Sequence, residues 1–154
     1  MSIPVPVLRL LHGADLPLPC YATTGAAGID LLAALVDPKR VAPGQRALIP
    51  TGMAVAVPAG YELQIRPRSG LALRHGIILA NSPGTIDEDY RGEIQVIVLN
   101  MGDTAFTVER GMRIAQAVLA PVARVTWHEV TVLDATPRNV GGFGSTGMDG
   151  ASGG

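Results

Sequence analysis

Apolar and polar positions alternate in short runs along this chain, and a turn residue interrupts almost every run. The clearest run is 93–99, where Glu93 and Gln95 alternate with Ile94, Val96 and Val98. That period of two predicts a half-buried strand. Residues 4–11, 46–57, 61–65, 77–80, 106–108, 113–119 and 123–130 are similarly short, rich in β-branched residues and bounded or broken by Pro or Gly, so they too read as strands. One helix is expected, one or two turns long, capped by Ser69 and stopped by Gly76. Many short strands at this spacing predict an all-β domain, a sandwich, barrel or jelly roll. From Pro137 the composition turns to Gly, Ser and Thr, which predicts a single β domain over residues 1–136 and an arm over 137–154, with the last residues disordered.

Composition sharpens this picture. Hydrophobic residues make up 47% of the chain but aromatics only 4%, so the core has to be built from Val, Ile, Leu and Ala. The 19 Gly and 12 Pro are spread along the chain and supply its turns. A formal net charge of −1, with no basic run longer than Lys39-Arg40, argues against a nucleic-acid footprint. Cys20 is the single cysteine and cannot form an intrachain disulfide, which fits the cytoplasm. No signal peptide or apolar membrane span is expected.

Candidate chemistry concentrates in residues 83–93, which bring Asp87, Glu88, Asp89, Tyr90 and Arg91 into a turn between apolar runs. Reactive groups favour such loops, and Asp87 and Tyr90 are the first candidates. At least one of the three acids is expected to be solvated turn charge. Arg68-Ser69-Gly70 offers a guanidinium, a hydroxyl and backbone N–H groups that suit a phosphate, although capping and a surface Arg explain it equally well. Gln116 shares a predicted strand face with Ile114 and Val118 and needs a partner, structural or ligand. Asp30 poses the same question. Gly142 to Gly147 matches G-x-G-x-x-G, but too little chain follows it for a dinucleotide fold. There Phe143 offers a planar face, with Arg138 nearby to meet anions. His12, His75 and His128 are too scattered for a metal site and receive no role.

Five pieces of this chain, in order, resemble the motifs of the trimeric dUTPase family. They are Ala27-Gly28-Ile29-Asp30-Leu31, Arg68-Ser69-Gly70-Leu71-Ala72, residues 84–93, Arg113-Ile114-Ala115-Gln116, and Arg138 with residues 141–147. The resemblance implies a distorted jelly-roll-like β subunit with one short helix, a homotrimer with active sites shared between chains, and hydrolysis of dUTP to dUMP and pyrophosphate. It implies that Asp87 activates the attacking water, that Tyr90 excludes a 2′-hydroxyl, and that Asn81 with the hairpin backbone reads uracil. Arg68, Ser69 and Gln116 would hold phosphates, Arg138 the terminal phosphate, and Phe143 would stack on the base. Gly70, Thr85, Ile86, Gly144 and Ser145 fall at further substrate-binding positions; Thr85 departs from an often aliphatic residue. The implied metal is Mg²⁺, held chiefly by the triphosphate, with Asp30 acting through water. Two alternatives stand beside this reading, a dCTP deaminase-like relative and a non-catalytic trimeric β module. The first needs a Glu in the strand after the central turn, and residues 94–99 contain none.

Overall fold

The computed structural model describes residues 2–143. Its strands are β1 (Val7–Arg9), β2 (Ile29–Leu32), β3 (Lys39–Val41), β4 (Arg46–Val55), β5 (Tyr61–Arg66), β6 (Ile77–Leu79), β7 (Gly84–Ile86), β8 (Glu93–Asn100), β9 (Phe106–Val108) and β10 (Arg113–Pro121). Helix α1 is Ser69–His75, and a 3-10 turn spans Leu11–Gly13. Two four-stranded sheets, ordered β1-β4-β8-β6 and β2-β10-β5-β7, are joined by a two-stranded β3-β9 ribbon. Every pairing is antiparallel. This is the expected all-β, jelly-roll-like class with one short α-helix.

The inward faces of both sheets share one core. Ile49, Ile94, Val96 and Val98 come from the first sheet and Leu31, Ile65, Ala115 and Ala117 from the second, all buried. Among the described residues no aromatic is buried, in keeping with the composition. Burying such aliphatic side chains contributes about 1.5–3 kcal/mol each, so alternation in β8 is what fixes its register.

Pro50 lies inside the central strand β4, where it cannot donate to a ladder. The register shifts between Pro50 and Ala54, a bulge that accommodates the proline. Within it Gly52 has φ +68°, and its backbone touches that of Gly13 so closely that neither position has room for a Cβ. Leu10 donates its N–H to the Gly52 carbonyl at 2.8 Å, and the Thr51 hydroxyl donates to the Ile94 carbonyl at 2.6 Å. Asn100, wholly buried, donates its amide to the carbonyls of Val41 and Thr104 and accepts the Gly102 N–H. That closes the ribbon onto the first sheet.

Several expectations are corrected. Ser69 does not cap α1: the N-cap is Arg68, in extended conformation with no side-chain cap bond, because the Arg68 carbonyl already accepts the N–H groups of Leu71 and Ala72. Gly76 closes the helix in the left-handed region, as expected. The first strand, predicted over 4–11, is confined to Val7–Arg9, and Leu11 opens a 3-10 turn instead. β3 and β7 are strands that the turn-rich segments 36–45 and 83–93 concealed. Residues 123–130 form no strand, since among the described residues no strand pairs with them and Val125 and Trp127 are exposed. Ile114 does not share a simple face with Gln116, because a register shift between Arg113 and Ala115 leaves Ile114 and Ala115 both buried.

By compactness the chain divides into residues 1–123 and residues 124–154. The described part of the second unit has no helix or strand. It contains a turn in which Asn139 donates its N–H to the Thr136 carbonyl and hydroxyl and Gly141 donates to the Arg138 carbonyl at 2.8 Å.

Candidate active site

Polar side chains gather where β2, β10 and the end of β5 meet. Gln116 on β10 sits opposite Asp30 on β2 and Arg66 on β5. Beyond Arg66, the chain carries Arg68 back over β2. Arg68 donates from Nε to Asp30 Oδ1 at 2.8 Å and from Nη2 to Oδ2 at 3.3 Å, a two-pronged pair that fixes the guanidinium plane. Its Nη1 donates to the Arg113 carbonyl at 3.2 Å. Arg113 Nη1 lies 3.5 Å from Asp30 Oδ2. Two guanidinium groups therefore share one carboxylate, and the cluster keeps a surplus of positive charge suited to an anion. Arg113 lies in a recognised motif, yet the sequence assigned it no role; only the cross-strand pairing shows it.

Gln116 donates its amide to the Pro67 carbonyl at 2.9 Å, which supplies the partner its position demanded. Gly28 leaves the space for this: a Cβ there would overlap the Gln116 amide oxygen. Gly28→Ala should therefore displace Gln116 and raise KM for the phosphate-bearing substrate by about tenfold, with a smaller change in kcat. Steady-state kinetics check this, and an unchanged KM would show that Gln116 does not engage substrate. Ser69 follows at the first turn of α1, its side chain exposed, and Gly70 is half-buried beside it.

The second group lies on the hairpin that leaves α1. Asn81 is exposed at its tip, and its amide nitrogen lies 3.1 Å from where a Cβ on Gly84 would sit, so Gly84 lets the amide approach the strand. Thr85 pairs with Gln64 and Ile86 with Leu63 across β7 and β5; Thr85 is exposed and Ile86 half-buried. Asp87 is exposed immediately after β7, and its carbonyl accepts the Tyr90 N–H at 3.2 Å. Among the described residues nothing bonds to its carboxylate. Tyr90 donates its hydroxyl to the Glu93 carbonyl at 3.0 Å, its ring lying against Gly92, where a Cβ would collide with it. Arg91 donates to the carbonyls of Glu88 and Tyr90. Glu88 accepts the Gly60 N–H at 2.7 Å, so it braces the turn.

Asp87 and the Arg68 cluster sit toward opposite ends of β5, whereas Asn81, beside Gly84, stays near Ile65. β7 runs antiparallel to β5 from Gly84 opposite Ile65 to Ile86 opposite Leu63, so Asp87 follows toward Glu62. From Glu62 to Arg66, the position level with Gln116 and Asp30, the strand rises about 13 Å. A single chain thus does not bring Asp87 to the Arg68, Asp30 and Gln116 cluster.

Arg138 and Phe143 belong to the second unit. Arg138 donates from Nε to the Gly141 carbonyl at 2.9 Å, and Phe143 is fully exposed. Gly144 and Ser145 lie outside the described residues. Those described residues include no group of three or more His, Cys, Asp or Glu that could hold a metal, and no helix long and apolar enough to cross a membrane.

A model of the dUTPase family matches residues 14–147. The chain belongs to the dUTPase family. It is 59% identical over 145 residues to the deoxyuridine 5'-triphosphate nucleotidohydrolase of Roseobacter denitrificans, covering 92% of this chain and 95% of that one. Identity to the enzyme of the same name from Rhizobium meliloti is 57% over 143 residues, 92% of this chain and 89% of the relative. The fold matches that of a Staphylococcus bacteriophage 80alpha dUTPase with dUPNHPP, with a TM-score of 0.83, 24% identity, and coverage of 95% and 99% of the two chains. The family match spans all five motif pieces. The deaminase-like alternative is not favoured. The observed β8 does take in Glu93, but its carboxylate is occupied by His12 and the Gly52 N–H.

Proposed function

We propose that this protein hydrolyses dUTP to dUMP and pyrophosphate by attack of water at the α-phosphorus, which limits uracil in DNA and supplies dUMP. The observation that carries the reading is the division of labour along β5. An exposed, unpaired carboxylate stands at one end, and a cationic cluster at the other. Asp87 orients the water and takes its proton, work worth about 10²–10⁴ in rate. Tyr90, held by its hydroxyl over Gly92, lies against the deoxyribose and leaves no space for a 2′-hydroxyl. Asn81 and the backbone from 77 to 90 meet the uracil edge.

Arg68, Ser69 and Gln116 bind the phosphates from the other end of β5, with Gly70 supplying close backbone approach. Because that end lies about 13 Å along the strand from the level of Asp87, the complete site takes its parts from different copies of the chain, in a homotrimer. Arg138 reaches the terminal phosphate and Phe143 stacks on the uracil from the arm, residues 137–154, with Gly144 and Ser145 beside them. Mg²⁺ fits this arrangement as a metal carried by the triphosphate. Both Asp30 oxygens face guanidinium groups, which leaves Asp30 to reach the ion through water. Bound there, the ion offsets phosphate charge. The cytoplasm is the compartment this reading assigns, with neither nucleic acid nor membrane as a partner.

Pyrophosphate release measured with dUTP, dTTP, UTP and dCTP in the presence of Mg²⁺ tests the proposal. Release is expected from dUTP alone at appreciable rate. No release from dUTP would leave the assembly-module reading, and ammonia from dCTP would favour deamination.

A further inference from the structure

We propose that His12 is a positioning residue for Tyr90 and so helps set the preference for a deoxyribose, an inference that rests on the sugar-gate reading of Tyr90. The bulge in β4 leaves the Gly52 N–H without a ladder partner, and a buried backbone donor has to be satisfied. Glu93, the first residue of β8, supplies the acceptor: its Oε1 takes the Gly52 N–H at 2.8 Å. The same oxygen lies 2.7 Å from His12 Nε2. Glu93's side chain is only 17% exposed, so it cannot exchange these partners for bulk water at little cost.

The far side of Glu93 faces the substrate loop. Its backbone carbonyl accepts the Tyr90 hydroxyl, and Gly92 gives the Tyr90 ring its seat. The carboxylate end of Glu93 is thus clamped by the N-terminal turn and the carbonyl end holds the gate. His12 is itself held from behind. Arg110 donates to the His12 and Leu35 carbonyls, each at 2.8 Å, and pairs with Asp15. The Arg110 hydrogen bond, helped by a backbone bond of Asp15, holds that carboxyl below its ordinary range. Contact between the Gly13 and Gly52 backbones sets the distance between turn and bulge. Without the imidazole, the Glu93 carboxylate keeps the Gly52 N–H and a long contact from the Gln95 amide at 3.5 Å but loses the donor that fixes its direction, and it reorients. Its carbonyl, and Tyr90 with it, then shifts.

The test is the ratio of kcat/KM for dUTP to that for UTP. In His12→Ala this ratio is expected to fall about tenfold, since small displacements of a positioned group carry effects of this size. His12→Gln, whose amide can donate from nearly the same place, should restore most of it. Melting is followed in parallel; loss of stability alone does not change a ratio between two substrates. If His12→Ala keeps the wild-type ratio while Tyr90→Ala relaxes it, the inference is overturned and the gate reading survives. If Tyr90→Ala keeps the ratio too, the gate reading fails and takes the inference with it. Should His12→Ala not fold, His12→Asn, with an amide too short to reach Glu93, is judged by the same ratio.

Discussion

Replacing Asp87 with Asn is expected to lower kcat for dUTP by about 10²-fold or more while leaving KM and the assembly in place. The geometry explains why the loss should be confined to turnover. The loop keeps its shape through the Asp87 carbonyl, which accepts the Tyr90 N–H, and through Glu88 and Arg91, so an amide of the same size disturbs none of these bonds. Only the ability to take a proton is lost. The variant also tests the proposed sharing of sites between chains. Asp87→Asn chains and Arg68→Ala chains, each nearly inactive alone, should regain activity when refolded together, because a site can then combine an intact Asp87 with an intact Arg68. Absence of recovery would place both groups within reach of one chain. Near-normal kcat in Asp87→Asn alone would show that another group activates the water.

Removal of every residue after Pro137 is expected to cut turnover by a similar factor, while the melting temperature moves by no more than about 2 °C. The core from both sheets is complete before Arg124. The arm's own described bonds, such as those of Arg138 and Asn139, are local. On the function proposed above, truncation would remove the terminal-phosphate cation and the aromatic face of Phe143, together with the exclusion of water that closure would bring. Calorimetry and pyrophosphate release on the same preparation separate the two effects. A drop of many degrees would make the arm part of the fold.

Local chemistry made much of this molecule readable before its structure. Alternation located β8, turn residues bounded β4, β5 and β9, and Gly76 stopped α1, because each depends on neighbours in the chain. The motif residues Asp30, Arg68, Asp87, Tyr90 and Gln116 were legible as residues, and the family they belong to followed from their order. What stayed hidden depends on pairing across long separations. β3 and β7 are three-residue strands defined by partners on β9 and β5, not by any run of their own. Arg113 looked like a strand-end cation until β10 placed it beside Asp30. His12 drew no role because its partner lies 81 positions away. Residues 123–130 misled in the opposite sense, since strand-like composition makes no strand where no other strand among the described residues pairs with it.

Helix α1 buries none of its side chains, and its two ends are held by different forces. At Gly76 it is fixed by backbone contact with Gly102 and by the Met101 N–H, neither of which responds to dissolved ions. At Arg68 it is held by a partly exposed ion pair with Asp30, which mobile ions screen over about 8 Å at physiological ionic strength. Added salt is therefore expected to loosen the Arg68 end of the helix and leave the Gly76 end unaffected; on the function proposed above, affinity for the triphosphate is the property of this protein most open to its ionic surroundings.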